Sequence, residues 1–198
     1  MKLQSSAQAG QDVFAYEVTG QAKGLAFLDV GAHNLCVCNN SYSLERMGWK
    51  GLCTDIFKDE ENLSRRTSPF IHGDARTVNW EHELTLAGLW PHVTYLSLDC
   101  DAATLEVLGT LPFNALSFDV ITIETDEYVN GPEPRAIINE CLTKYGYDLV
   151  CDRVKICIPG YNIDGPFEIW AVSPKYSSNA NRFRSEGKYF GEILEGCL

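Results

Sequence analysis

The sequence predicts an α/β fold in which helices cover both faces of a mostly parallel, seven-stranded sheet. Strand and helix patterns alternate along all 198 residues without a linker or an internal repeat, as in a doubly wound domain. The apolar run from Leu25 to Val30 is typical of a strand buried on both faces, and Gly31 after it predicts a sharp turn. We therefore expect a single domain over 1–198 with a helix or lid over 1–20. It is either a whole protein or one domain of a longer chain.

Each element is predicted from local pattern. Seven segments have the apolar or alternating composition of strands: 25–30, 49–57, 68–75, 93–99, 118–125, 147–154 and 167–173. Helical patterns precede the first strand and lie between the later ones: 8–18, 41–47, 61–66, 80–88, 102–111 and 132–146. The second of these helices has Asn40 or Ser41 as its cap and Gly48 after its end. Segment 80–88 is either a helix or a loose connection.

Composition and charge exclude several classes of function. The hydrophobic fraction of 45% and the charged fraction of 22% are ordinary for a globular protein. A net charge of −11 repels a phosphate backbone, so we expect no nucleic-acid partner. No apolar run approaches the ~20 residues that a membrane span needs, and the N-terminus lacks the apolar core of a signal peptide. These observations predict a soluble, cytoplasmic protein.

The eight cysteines are scattered and form no C-x-x-C pair or zinc-site spacing with histidine. Cys36 and Cys38 are too close in sequence to bridge comfortably. We therefore expect buried free thiols that behave as small apolar side chains in a reducing compartment.

Acidic residues recur at or near the carboxyl ends of the predicted strands. They are Asp29, Asp55, Asp74, Asp99 and Glu124. In a parallel sheet these ends lie at one edge, which is where α/β proteins bind their ligands. The repetition predicts a site for a ligand with hydroxyl groups or positive charge.

The first turn argues against a dinucleotide, because the G-x-G-x-x-G fingerprint is reduced to Gly31 alone and no basic residue follows it closely. S-adenosylmethionine (SAM) has no phosphate and carries a sulfonium, an ammonium and a ribose diol, all suited to acids. We expect Asp29 and the turn to bind its amino-acid end, Asp55 to accept the ribose hydroxyls, and Asp74 with Ala75 to bind adenine. A NAD-type Rossmann oxidoreductase is the alternative.

Several stretches together resemble the FkbM-type SAM-dependent methyltransferase family. They span about Gly10 to Arg153 in the family's order and read GQDVF, FLDVGAH, NSYSLERMGWKGLCTDI, YLSLDCDAATLEVL, ITIETD and LTKYGYDLV. The resemblance implies a Rossmann-like class I methyltransferase fold, SAM as the cofactor, and O-methylation of a sugar or glycan hydroxyl. The expected cofactor-binding residues are Asp29, Gly31, Ala32, Asn34, Asn40, Ser41, Asp55, Ile56, Asp74 and Ala75.

The chain departs from the family's pattern at three places. Leu35 stands where a second glycine is usual, and Asp55 replaces the usual glutamate. After the acid Asp101 a glycine and a later acid are usual, but this chain continues with Ala102-Ala103-Thr104 and reaches an acid again only at Glu106. A degenerate SAM-binding domain without catalysis is therefore a further alternative.

A sugar hydroxyl must lose its proton as the methyl group arrives, either to a general base or through a metal ion. Asp99 is the expected base and His33 is the other candidate. In the metal-assisted alternative a Mg²⁺ or Mn²⁺ ion is bound by Asp99, Asp101, Glu124 and Asp126. Tyr128, Asn130 and Tyr161 are the expected contacts for the small-molecule or glycan acceptor.

Overall fold

The computed structural model describes residues 3–125, 127–158 and 163–198, and within these ranges it leaves out the side chains of Tyr128, Asn130, Ile158 and Ile163. One sheet contains seven strands: β1 (Ala26–Val30), β2 (Lys50–Asp55), β3 (Phe70–His72), β4 (His92–Leu98), β5 (Ser117–Glu124), β6 (Asp148–Ile158) and β7 (Ile163–Val172). All seven predicted strands are present.

The strand order is β3-β2-β1-β4-β5-β7-β6. β7 runs antiparallel to both of its neighbours, β5 and β6, whereas the remaining pairs are parallel. The predicted mostly parallel sheet is confirmed. The chain leaves β1 first toward β2 and later returns to its other side at β4, so the order reverses beside β1. Such a reversal opens a crevice at the carboxyl ends of the strands.

Helices connect the strands and cover the sheet. They are α1 (Gln11–Val18), α2 (Tyr42–Arg46), α3 (Glu60–Leu63), α4 (Trp80–Leu86), α5 (Thr104–Thr110), α6 (Glu127–Asn130), α7 (Glu133–Lys144), α8 (Ser177–Ala180) and α9 (Phe190–Ile193). Single 3₁₀ turns occupy Ala75–Thr77, Asp101–Ala103, Pro174–Tyr176 and Asn181–Phe183. Segment 80–88, predicted as a helix or a loose connection, contains helix α4. Its N-cap is Asn79, whose side chain accepts a hydrogen bond from the His82 N–H.

Alternate strand residues pack on opposite faces of the sheet. Phe27 on β1 belongs to the cluster that includes α1, whereas its neighbour Leu28 belongs to the cluster that includes α4 and α7. Both are fully buried, which explains the continuous apolar run in the sequence.

The N-terminal segment, predicted as a helix or a lid, forms α1 and packs into the core. The Phe14 ring stacks on Trp170 of β7 with centroids 4.5 Å apart and meets Phe183 edge-on at 5.6 Å. Aromatic burial of this kind stabilises the fold strongly. α1 is therefore a structural part of the domain.

The β6–β7 hairpin is longer than the sequence predicts. The strand pattern of the sequence ends at 154 and resumes at 167, and glycine and proline within 157–166 predict a loop between them. Instead, β6 continues to Ile158 and β7 starts at Ile163, with Ile156 opposite Gly165 and Lys155 opposite Pro166. Residues 159–162 lie outside the described ranges.

The predicted burial of the thiols holds for three of the eight cysteines. Cys36, Cys53 and Cys151 are buried, Cys100, Cys141 and Cys197 are half-buried, and Cys38 and Cys157 are exposed. Across the described part of the chain, no helix is long and apolar enough to cross a bilayer.

Candidate functional site

A cavity of about 500 Å³ opens beyond the carboxyl ends of β1, β2, β4 and β5. This first cavity lies at the reversal of strand order, and its volume is within the range of small-molecule sites. Its lining includes the acids Asp55, Asp74, Asp99, Asp101 and Glu124. Four of the five strand-end acids named from the sequence therefore line one cavity, together with Asp101.

Gly31 fixes the floor of the first cavity. Its φ is 88°, and a Cβ built there would lie 1.5 Å from the Asp99 carbonyl oxygen. The N–H groups of Gly31 and Ala32 donate to the Thr54 carbonyl at 2.9 and 3.1 Å. The turn after β1 is therefore held between the ends of β2 and β4, with room for glycine alone.

Two backbone groups hold the Asp55 carboxylate in position at the end of β2. Its Oδ2 accepts from the His33 N–H at 2.7 Å, and its Oδ1 accepts from the Phe57 N–H at 2.6 Å. A carboxylate oxygen can accept a second hydrogen bond. Asp55 lines the cavity, and each of its oxygens keeps the capacity to accept one more hydrogen bond.

The wall beyond Asp55 is formed by Ile56, Asp74 and Ala75. Asp74 caps a 3₁₀ turn by accepting from the Arg76 N–H at 2.9 Å, and it forms an ion pair with the guanidinium at 2.7 Å. Hydrogen bonding to Arg76 lowers the pKa of Asp74. Arg76 also reaches Glu106 on α5 at 2.6 Å and thus closes this side of the cavity. Sequence reasoning missed Arg76, although its position two residues after a capping aspartate was a usable signal.

Five predicted cofactor residues do not belong to the lining of the first cavity. They are Asp29, Ala32, Asn34, Asn40 and Ser41. The Asn34 side chain accepts from the N–H groups of Cys36 and Val37 and shapes the loop. Asn40 is buried and donates to Ser97 Oγ at 2.9 Å. These two residues support the turn from the protein side.

Asp29 is 1% exposed and belongs to a buried polar network. Its Oδ2 accepts from Ser41 Oγ at 2.6 Å and from Asn39 Nδ2 at 3.2 Å. Burial raises the pKa of Asp29. Because Asp29 shares the face of Phe27 on β1, its side chain projects into the protein and not from the strand end.

Arg66 compensates the buried charge of this network, and sequence reasoning missed it. Its guanidinium donates to Ser41 Oγ at 2.9 Å and to the Leu35 carbonyl at 2.9 Å, and it pairs with Glu45 at 3.1 Å. A cation beside a buried carboxylate offsets part of the cost of desolvation. The short segment around Arg66 gave no pattern that indicated burial.

Leu35, which replaces the usual glycine, turns its side chain into the core and is fully buried. Its N–H donates to Asp59 Oδ2 at 2.9 Å, while Arg66 binds its carbonyl. The loop is therefore anchored at both backbone groups without a glycine.

The candidate bases both line the first cavity. Asp99 follows β4, and His33 has a φ of 39° and stacks on Phe57 with centroids 5.1 Å apart. Asp99 also contributes the carbonyl that packs against Gly31. The structure thus brings Asp99, His33 and Asp55 to one cavity.

The described residues do not supply a metal site. Within residues 3–125, 127–158 and 163–198, no three His, Cys, Asp or Glu side chains form a group that could hold an ion. Asp99, Asp101 and Glu124 line the cavity, but Asp126 lies outside the described ranges. Among the predicted acceptor residues, Tyr161 and the side chains of Tyr128 and Asn130 also lie outside them.

Glu168 is a buried acid that sequence reasoning did not identify. It accepts from Gln11 Nε2 at 2.6 Å and from Trp170 Nε1 at 2.7 Å, and burial raises its pKa to about 8. Gln11 in turn accepts from the Ala9 N–H at 2.7 Å. The preceding residue, Gln8, lines the first cavity, so this chain of contacts fixes the N-terminal segment beside it.

Comparison with known proteins identifies the fold. No family model and no curated protein sequence matches the chain. A solved structure from Pyrococcus horikoshii, described as a candidate RNA methyltransferase, has a TM-score of 0.56 at 19% identity and covers 86% of this chain and 85% of that chain. A Clostridium thermocellum structure, described as a candidate rRNA methylase, has a TM-score of 0.51 at 13% identity with coverage of 87% and 97%.

A third structure, from Thermoplasma acidophilum, has a TM-score of 0.53 at 12% identity and covers 83% of this chain and 87% of that chain. These likenesses, together with the strand order, show that the fold is the Rossmann-like class I methyltransferase fold. At such low identity they carry no information on the substrate, and the FkbM-type resemblance stays a prediction.

Proposed function

We propose that the protein is a SAM-dependent methyltransferase that transfers a methyl group to a hydroxyl of a small acceptor, with a sugar or glycan as the expected class. One observation carries the proposal. The carboxylate of Asp55 and several further acids line the first cavity beside the turn after β1, and the backbone N–H groups of this turn already donate hydrogen bonds within the protein.

The engaged donors argue against a dinucleotide. A pyrophosphate site needs backbone N–H groups that point at the ligand. Here the N–H groups of Gly31 and Ala32 donate to Thr54, that of His33 donates to Asp55, and that of Leu35 donates to Asp59. The acids that line the cavity would also repel a pyrophosphate group. A phosphate-free donor with a positive charge suits the cavity better than NAD.

When bound, SAM supplies an electrophilic methyl group on a sulfonium sulfur. In the proposed arrangement, Asp55 accepts the two ribose hydroxyls and thereby fixes the donor. Asp74 and Ala75 contact the adenine. The carboxylates around the floor of the cavity favour the cationic end of the ligand.

Asp99 is the proposed general base. Its carboxylate would accept the proton of the acceptor hydroxyl as that oxygen takes the methyl group from the sulfonium sulfur, whose bond to the methyl carbon would break with the electron pair staying on sulfur. His33 is the second candidate for the proton, and positioning of the two reactants supplies much of the acceleration.

Binding and turnover test the proposal directly. SAM, S-adenosylhomocysteine and NAD are titrated calorimetrically into the full chain, and methyl transfer to glycans and nucleotide sugars is followed by mass. We expect SAM to bind and NAD not to bind. Binding of NAD without SAM would overturn the proposal in favour of an oxidoreductase. SAM binding without transfer to any acceptor would favour a degenerate domain.

A further inference from the structure

A second cavity of about 740 Å³ lies between the N-terminal segment 3–7 and helix α2. Cys38 lines both this cavity and the first one. The two cavities are therefore neighbours that meet at Cys38.

Hydrogen bonds fix the wall of the second cavity. The Ser5 hydroxyl and the Ser6 N–H donate to the Asp12 carboxylate at 2.7 and 2.8 Å, and Asp12 is fully buried. The Ser43 hydroxyl on α2 donates to the Gln4 carbonyl at 2.6 Å. These bonds join the N-terminal segment to α1 and α2, so hydrogen bonds hold the residues that line this side of the second cavity.

An arginine lines the second cavity without a carboxylate partner among the described residues. The exposed Arg46 lies over the Tyr42 ring, with its guanidinium carbon 5.9 Å from the ring centroid, and both residues line the cavity. Arg65 lies 5.8 Å from the same ring. Arg65 likewise forms no ion pair with an acid among the described residues. The remaining six arginines of the described chain each form one: Arg66, Arg76, Arg135, Arg153, Arg182 and Arg184.

This pattern is unusual for a chain of net charge −11, in which acids exceed bases by 27 to 16. The ring of Tyr42 orients the guanidinium of Arg46 by a cation–π contact and leaves its N–H groups available. A guanidinium of this kind matches the paired oxygens of a carboxylate or a phosphate.

We propose that the second cavity binds the methyl acceptor through a carboxylate or phosphate group that pairs with Arg46. The acceptor is then an anionic small molecule whose hydroxyl-bearing part passes Cys38 into the first cavity. This inference rests on the proposed methyltransferase function.

The test uses D-glucose, D-glucuronate and D-glucose 6-phosphate as probes, each titrated calorimetrically into the full chain. The three differ in the anionic group, so the titrations separate a carboxylate from a phosphate. They are repeated with Arg46→Gln and with Lys50→Gln, which removes one positive charge at the start of β2, the opposite end of the sheet. SAM is titrated into all three proteins.

We expect at least one anionic probe to bind roughly 10-fold more tightly than glucose, because a charge-assisted hydrogen bond supplies about that factor. We expect Arg46→Gln to lose this preference while its affinity for SAM is unchanged. We expect Lys50→Gln to retain both the preference for the anionic probe and the affinity for SAM. Equal binding of all probes, or a preference that survives in Arg46→Gln, overturns the inference.

The SAM titration separates the two proposals. If SAM binds and the preference for anions is absent, the inference alone fails. If SAM does not bind to the unaltered chain, the proposed function fails. Anion binding through Arg46 in that case would also overturn the assignment of an acceptor site.

Discussion

Glu124 on β5 lies directly opposite Glu168 on β7, and both side chains are buried. Glu124 also lines the first cavity, whereas Glu168 accepts from Gln11 and Trp170 inside the protein. Burial, with a smaller contribution from the charge of Asp99, raises the pKa of Glu168 to about 8, so the group keeps its proton near neutral pH. Glu168 therefore adds no negative charge beside Glu124 at neutral pH.

Stability should fall as pH rises because of Glu168. Its pKa is raised from 4.5 to about 8, so between these values the folded chain holds a proton that the unfolded chain has lost. Urea unfolding from pH 5 to pH 8 should therefore show a smaller loss of stability in Glu168→Gln than in the unaltered chain. The other titrating groups contribute equally to both proteins, so the difference between them reports on Glu168. If the unfolding free energy changes equally with pH in both proteins, the raised pKa of Glu168 is contradicted.

Asp55→Ala should weaken SAM binding by roughly 10- to 100-fold, because two charge-assisted contacts to the ribose are lost. Calorimetric titration measures the change. Glu61→Ala, on the exposed side of α3, removes one acid elsewhere and serves as the control. Unchanged affinity in Asp55→Ala would show that the ribose lies elsewhere.

Asp99→Asn should retain SAM binding but lose about 10²–10⁴ in the rate of methyl transfer, since an amide cannot accept the hydroxyl proton. Single-turnover kinetics with an active acceptor separates binding from chemistry. His33→Gln is the parallel variant. A full rate in Asp99→Asn with a large loss in His33→Gln would transfer the role of base to the histidine.

Gly31→Ala should destabilise the fold by more than about 3 kcal/mol, because its Cβ would overlap the Asp99 carbonyl oxygen. Gly48→Ala is a matched control: its φ is 92°, but nothing lies within 4 Å of the added Cβ. Only the cost of a left-handed conformation applies there, about 1 kcal/mol. Thermal or urea unfolding compares the two, and equal losses would show that the contact with Asp99 is unimportant.

Arg66→Met should cost about 3–5 kcal/mol in unfolding free energy, since it breaks the ion pair with Glu45 and leaves the buried Asp29 without a neighbouring cation. The loss should shrink at low pH, where Glu45 and Asp29 are protonated in both the folded and unfolded states. Arg65→Met removes the exposed neighbour and should change stability by less than about 0.5 kcal/mol. Similar effects of the two substitutions on urea unfolding would contradict a compensating role for Arg66.

Much of the site was predictable because strand ends are local features. The run before Gly31 and the acids Asp55, Asp74 and Asp99 could be placed from periodicity alone, and these residues do line one cavity. Asp29 shows the limit of this reasoning. It lies one residue before the end of β1, and the alternation of side chains turns it toward the core.

The sequence by itself determined the succession of strands and helices along the chain, the turn at Gly31 and the acidic character of the sheet edge. These follow from apolar periodicity and from the positions of glycine and acids along the chain. The tertiary structure alone decided that Asp29 is buried away from the cavity, which arginines pair with carboxylates, and that Glu168 contacts Gln11, 157 residues away in the sequence. The reason is that burial and charge compensation depend on contacts between distant segments, which no local pattern records.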